Sequence, residues 1–167
     1  MKIILALLTL VLFFGCSAKK SDQELFDEAQ TNLRIQKFPE AAISLEELID
    51  EHPDSELAPE ALSELAAIYQ NKQITSLSEE ENLAKAIQLF KRLHEDYRTS
   101  EYAPSGLFMA GFIYANELQD YKSATEIYKQ FLADYPENDL AESAQAELDN
   151  MGLSPEEILS KKLAKEK

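Results

Sequence analysis

Three stretches of this chain align with one another without a gap, and that repetition restricts its possible folds more than any other feature of the sequence. Phe38-Pro39-Glu40-Ala41 through Ser55, Leu83-Ala84-Lys85-Ala86 through Ser100, and Tyr121-Lys122-Ser123-Ala124 through Asn138 are related by offsets of 45 and 38 residues. Small or apolar residues occupy matching places: Ala41, Ala86 and Ala124; Leu45, Phe90 and Tyr128; Leu48, Leu93 and Phe131; then His52, Tyr97 and Tyr135. Inside each copy they recur at helical spacing, which puts one apolar stripe on a helix. Pro53 and Pro136 cannot continue a helix and end the first and third copies. An amphipathic helix repeated in this way cannot bury its stripe alone, so the copies must stack.

The correspondence continues downstream through Ala58, Ala103 and Ala141, Pro59 and Pro104, Leu62 and Leu107, Ala66 and Gly111, and Tyr69 and Tyr114. Each unit therefore holds a second helix, with small residues at 66 and 111 where another backbone must come close. Ser55, Ser100 and Asn138 stand at the expected N-caps of these helices. The pattern predicts an all-α fold with helices at about 22–36, 38–52, 56–71, 79–97, 101–117, 120–135 and 138–150, which make three pairs and a capping helix. A last helix, about 154–165, opens with Ser154-Pro155-Glu156-Glu157, a cap residue, a first-turn proline and a capping-box glutamate. Its lysines, Lys161, Lys162, Lys165 and Lys167, are the only basic cluster and read as a solvated helix end that complements the dipole. Ile158, Leu159 and Leu163 are placed to dock it on the last pair.

Compartment is written in the first residues. Lys2 precedes a 12-residue run, Ile3 to Phe14, broken only by Thr9; this is shorter than the ~20 apolar residues of a membrane span and reads as an export signal. The run ends in Gly15 and Cys16, and Cys16 is the sole cysteine, so no intramolecular disulfide can form. This ending resembles the lipobox of bacterial lipoproteins, a resemblance that implies cleavage before Cys16 and acylation of Cys16. Two or three acyl chains, at about 0.8 kcal/mol for each buried CH₂, hold a protein durably on a bilayer. Ser17 to Ser21 form a polar tether, and the same resemblance implies that Ser17, rather than Asp, directly after the cysteine favours the outer membrane in an organism that has two. The expected division is a signal peptide at 1–15, lipidated Cys and tether at 16–21, the repeat domain at 22–150 and a basic helix at 151–167.

The whole chain carries 16 Lys plus Arg against 31 Asp plus Glu, a net charge of −15. Nucleic-acid backbones require basic patches, so no nucleic-acid partner is expected. An acidic body is also repelled by anionic headgroups and should stand off the membrane that anchors it. Catalytic signals are missing from the sequence: the two histidines, His52 and His94, lie on different repeats with no nucleophile motif beside them. His52 takes the place of Tyr97 and Tyr135 and reads as a packing residue, whereas His94, one step after Leu93, is expected to face solvent. Glu79-Glu80-Glu81 could suggest a cation site, but Ser78 and Glu81 form a capping box and the acids suit a helix N-terminus. No enzyme activity, cofactor or metal is expected.

The repeated set Phe38, Ala41, Leu45 and Pro53, with Tyr121, Ala124, Tyr128 and Pro136, resembles the tetratricopeptide repeat. The endings Pro53-Asp54-Ser55 and Pro136-Glu137-Asn138 before an Ala-rich helix resemble the bacterial lipoprotein subset that includes a subunit of the outer-membrane β-barrel assembly machinery. The second copy departs from the pattern at Leu83 and Arg98, and its hairpin loop, Asn71 to Glu81, is seven residues longer than in the third. What the resemblance implies is a right-handed superhelical stack of about three hairpins with capping helices. It also implies a protein or peptide partner in a groove lined by the first helix of each pair. With Ala29, Ala66 and Gly111 as the close-packed positions, the groove side would show Phe26, Gln30 and Leu33, then Glu60, Ser63, Ala67 and Gln70, then Ser105, Phe108, Phe112 and Asn116. Leu107 to Tyr114 is apolar on all sides, so either its neighbours cover it completely or it presents Phe108 and Phe112 as an i, i+4 pair. The expected function is a non-catalytic interaction scaffold, lipid-anchored in the bacterial cell envelope with its body in the periplasm, and outer-membrane protein assembly is the pathway the resemblance suggests. A self-assembling envelope spacer is the alternative, and a small enzyme or solute-binding lipoprotein a more distant one.

Overall fold

The computed structural model describes residues 19–165. The proposed signal peptide, Cys16 and the first tether residues lie outside the described residues, as does Lys167. Among the described residues there are no strands, and the helices are α1 (Asp22–Arg34), α2 (Phe38–Glu51), α3 (Ala58–Gln70), α4 (Glu79–Asp96), α5 (Tyr102–Phe112), α6 (Tyr121–Asp134), α7 (Ala141–Asn150) and α8 (Pro155–Lys165). A π-helical turn, Ile113–Glu117, prolongs α5. Each helix from α1 to α6 packs against the next in the chain, and α3 also touches α5. The result is a stack of three hairpins, α1–α2, α3–α4 and α5–α6, closed by α7.

Two kinds of turn build the stack. Within a hairpin the first helix ends two residues before a left-handed residue: Gln36, Lys72 and Gln119, at φ of 59°, 56° and 53°. In the first two hairpins the amide of the following residue donates to a carbonyl five residues back, Lys37 to Asn32 at 2.9 Å and Gln73 to Ile68 at 3.1 Å, which satisfies the end of the helix. The long loop of the second hairpin thus starts like the others and adds its extra residues afterwards. Asn82 pins them: its Nδ2 donates to the carbonyls of Ile74 and Ser78, both at 3.0 Å.

Between hairpins the chain makes two successive turns. Ser55, Ser100 and Asn138 donate their amides to His52, Tyr97 and Tyr135, and their carbonyls accept from Ala58, Ala103 and Ala141. These turns delay the helices, so the caps are not where the sequence places them. The N-cap residues are Leu57, Glu101 and Leu140, without side-chain caps. Ser55 Oγ and Asn138 Oδ1 instead accept from the amides two residues on, at 3.1 and 2.9 Å, and brace the turn itself. True capping boxes occur at Ser21 with Glu24 and Ser78 with Glu81; Ser154 and Glu157 exchange the same pair of bonds, at 2.8 and 3.3 Å.

Close packing occurs where the repeat puts small side chains. Ala41, Ala66, Ala86 and Ala124 are fully buried, with Leu45, Leu48, Leu93, Tyr128 and Phe131 filling the space around them. At Gly111 a Cβ would lie 2.9 Å from Tyr128 Cε1, so the glycine admits the ring. The residues that terminate α2, α4 and α6 share one backbone conformation, with φ near −130°, and each reaches back to the preceding segment. His52 Nε2 lies 2.9 Å from the Lys20 carbonyl, Tyr97 Oη donates to the Pro53 carbonyl at 3.0 Å, and Tyr135 Oη lies 2.7 Å from His94 Nδ1.

Two sequence expectations are corrected here. His94 does not face solvent: it is 5% exposed, because Tyr135 closes over it from the next hairpin and Asp134 Oδ2 lies 3.2 Å from its Nε2. Leu159 and Leu163 do not dock α8, and remain 58% and 54% exposed. Ile158 alone turns inward, and the Lys161 ammonium donates to the Asp149 carbonyl, so α8 is held by one side.

Ala124→Glu buries a charge with no partner between packed helices and should cost about 3 kcal/mol or more, whereas Glu126→Ala on the exposed face should cost under about 0.5. Equal urea midpoints for the two would show the register to be wrong. Burial holds the His94 pKa below the usual histidine value, with Arg98 acting in the same sense and Asp134 and Glu95 against it. The unfolded chain then binds the proton more readily than the fold does, so stability should fall as pH drops below about 6.5. Urea midpoints at pH 7.5 and 5.5 should separate further in the wild type than in His94→Gln.

Candidate functional site

The first helix of each hairpin has one face that the second helices do not cover. On α3 the positions outside the core are Pro59, Glu60, Ser63, Glu64, Ala67 and Gln70, one side of a helix whose other side, Ala58, Ala61, Leu62, Leu65, Ala66, Ile68 and Tyr69, is buried. On α5 the corresponding strip is Pro104, Ser105, Phe108, Met109 and Phe112. None of the eleven groove positions read from the sequence is buried: Phe26, Gln30, Leu33, Glu60, Ser63, Ala67, Gln70, Ser105, Phe108 and Phe112 are half-buried and Asn116 is exposed.

The structure draws some of them together and separates others. Gln30 on α1 donates to both carboxylate oxygens of Glu64 on α3, at 2.8 and 2.7 Å. Beside this bond Leu33 and Ala67 share a recess of about 280 Å³ with Phe38, Glu64, Ile68, Asn71 and Gln73. Burial raises the Glu64 pKa, Glu60 adds to the rise, and the Gln30 hydrogen bond opposes both. Burial raises the Tyr102 pKa on α5, and the charge of Glu60 on α3 adds to the rise. Ser105 is engaged locally, its hydroxyl donating to the Tyr102 carbonyl at 2.9 Å.

Phe108 and Phe112 part company. The ring of Phe108 lies 5.5 Å from that of Tyr128 and 6.0 Å from that of Phe131, so it is packed on α6 and extends the core. Phe112 is half-buried outside the hydrophobic cluster. Both rings are half-buried, and they differ in what they touch: Phe108 lies on α6, whereas Phe112 stands outside the cluster. Phe26 and Leu33 likewise pack against the core with one side. Asn116 leaves the strip at the π-helical turn, where Leu118 donates to Ile113 at 3.0 Å, and lines a separate cavity of about 620 Å³ with Tyr121, Met151, Leu153 and Ile158.

Sequence reasoning missed Glu64, Met109 and Tyr102. Glu64 lies four residues after Glu60 and one after Ser63, so helical spacing from Glu60 would have found it. The strip thus changes character along its length, from carboxylates and a lined recess at α1 and α3 to thioether and aromatic surface at α5. It offers carboxylates for cations and apolar walls for aliphatic or aromatic groups, a surface suited to an amphipathic segment.

A second recess, of about 240 Å³, opens between α2, α3 and α4, where Lys85 sits 4.8 Å over the Tyr69 ring and Tyr69 Oη donates to Glu46 at 3.0 Å. Tyr69 thus links Glu46 to Lys85, whose ammonium donates to the Tyr69 hydroxyl at 3.2 Å. Among the described residues no three His, Cys, Asp or Glu side chains converge as a metal site, and no helix is long and apolar enough to cross a membrane.

No curated protein matches the chain. The tetratricopeptide-repeat family model matches residues 25–55 and 105–138, which cover most of the α1–α2 hairpin and most of the α5–α6 hairpin. The α3–α4 hairpin, with Leu83, Arg98 and the longer loop, stands outside both segments. The protein is therefore an all-helical stack of hairpins, two of which match the tetratricopeptide-repeat family model over these residues.

Proposed function

We propose that this protein is a lipid-anchored, non-catalytic scaffold of the bacterial cell envelope that holds a protein or peptide partner along the first-helix strip. Tetratricopeptide repeats are protein-interaction modules, and the observation that carries the reading is the strip itself. Among the described residues Phe112, Met109 and the Leu33–Ala67 recess keep apolar surface half-exposed, next to half-buried carboxylates at Glu60 and Glu64. Aromatic and Met-lined surface of this kind is characteristic of binding faces.

The anchoring half of the proposal rests on sequence: residues 1–15 as a signal peptide, acylated Cys16 with a tether to residue 21, the repeat domain at 22–150 and the basic segment 151–167. Ser17 after the cysteine supports the outer membrane, with the folded part facing the periplasm. Resemblance to the lipoprotein subunit of the β-barrel assembly machinery supports outer-membrane protein assembly as the pathway.

Cys16→Ala should abolish incorporation of radiolabelled palmitate and leave an unanchored or uncleaved precursor; equal labelling of wild type and variant would refute the anchor. Phe112→Ala should weaken retention of the envelope partner at least ~30-fold in a quantitative pull-down, since an aromatic hot spot contributes about 2 kcal/mol or more. Its melting temperature should stay near the wild-type value, whereas Phe108→Ala should lower it. Undiminished retention by Phe112→Ala would remove α5 from the binding surface.

A further inference from the structure

The chain is clasped before its first helix begins. Lys19 and Lys20, ahead of the Ser21 cap, lie against the end of α2. The Lys19 ammonium is 3.4 Å from the Glu51 carboxylate and 3.5 Å from the Glu51 carbonyl oxygen, and the Lys20 carbonyl is 2.9 Å from His52 Nε2. The Lys20 ammonium pairs with Glu28 on α1, and Ser55, in the turn after α2, donates its hydroxyl to Asp22 at 2.6 Å. His52 stands at the repeat place of Tyr97, and the Lys20 carbonyl is to His52 what the Pro53 carbonyl is to Tyr97. The segment ahead of α1 is therefore bound as the turn of a preceding hairpin would be, although among the described residues no hairpin precedes it.

This clasp limits how far the body can lie from Cys16. Only Ser17 and Ala18 separate that residue from Lys19. An extended chain covers at most about 3.6 Å per residue, so Lys19 lies within about 11 Å of Cys16. The folded body exceeds that reach, since α6 alone, with 14 residues, is ~21 Å long. A leash shorter than the body it holds decides which part of the body stays near the attachment point. Charge acts in the same sense. With a net charge of −15 the chain is repelled by anionic headgroups, so the parts that the leash does not hold lean away from the surface.

We propose that, with Cys16 as the attachment point, the corner made by Lys19, Lys20, the end of α2 and the turn at 53–57 is held at the bilayer, while the loop end of the last hairpin, around Lys122, points away from it. This rests on the anchoring proposed above and goes beyond it by assigning the surface that meets lipid. Glu51 and His52 act as positioning residues: by holding Lys19 and Lys20 they keep the leash at its shortest and the body in one pose.

Energy transfer from protein to bilayer tests the pose. Residues 16–167, which include every described residue, are coupled through Cys16, the sole cysteine, to a maleimide lipid in vesicles of phosphatidylcholine and phosphatidylglycerol. The pose is then read whether or not the cell acylates Cys16. An azidophenylalanine in place of Glu56 or of Lys122, both exposed, carries the donor dye, and the acceptor sits on lipid headgroups. Transfer from position 56 should exceed that from position 122 at least ~2-fold, since helices of ~21 Å separate the two edges of the stack. A Gly-Ser insertion of about six residues between Ala18 and Lys19 should remove the difference, because such a linker is a flexible coil. Glu51→Gln with His52→Phe, which opens the clasp but keeps the packing, should reduce it, with circular dichroism and melting near wild type. Equal transfer from the two positions overturns the proposal, as does a difference that survives the insertion or the opened clasp unchanged. If Cys16→Ala takes up palmitate as wild type does while the pose holds, the anchor is wrong and the clasp stands; if Cys16 is acylated while the two positions transfer equally, the anchor stands and the pose falls.

Discussion

Helix-to-helix distance in this stack is set by a few small side chains. Ala41, Ala86 and Ala124 on the second helices, with Ala66 and Gly111 on the first ones, are fully buried at the points where backbones pass closest. The large residues one turn away, Leu45, Phe90 and Tyr128, fill the volume that those small ones leave. Tyr128 against Gly111 shows how tight the fit is, since the ring occupies the space of the missing Cβ. Interiors are packed at the density of organic crystals, so a larger residue at one of these places must move a whole helix.

Stacking of hairpin on hairpin then depends on polar links at equivalent sites. The terminal residues of α2, α4 and α6 share a backbone geometry that carries the side chain back over the preceding turn. The contacts differ in chemistry but not in place: imidazole to carbonyl, phenol to carbonyl, phenol to imidazole. The last of these buries His94, with Asp134, Gln130 and Tyr135 all coming from α6 or its C-terminus. Each unit is thereby tied only to its neighbours, the one-dimensional arrangement expected of repeat proteins.

The same geometry leaves the first helices half-clothed. Each buries one face against the second helices and leaves the other half-exposed among the described residues, so the residues on that face are less constrained by packing and can specialise. Glu60, Glu64 and the Leu33–Ala67 recess lie at one end, Met109 and Phe112 at the other. The free side of α8 is the counterpart at the C-terminal end, with Leu159 and Leu163 outward.

Helical periodicity and the offsets of 45 and 38 residues determined the fold class, the number of hairpins and the helix boundaries to within about three residues, because small residues at fixed spacing are a local signal of where helices must touch. The same spacing marked eleven positions on the first helices, none of which is buried. What no local signal could supply was the partner across the interface. Phe108 and Phe112 are alike in sequence, and only the position of α6 decides that one lies on Tyr128 and Phe131 while the other stays at the surface. His94 follows an apolar residue on a helix and looks solvated until Tyr135, 41 residues on, closes over it. Leu159 and Leu163 have the pattern of a docked helix, yet α7 offers them no surface. Glu64 owes its raised pKa to burial, and its hydrogen-bond partner is Gln30, 34 residues earlier. Periodicity states which face a helix buries against its own hairpin; what covers the remaining face is settled by the arrangement of hairpins in space.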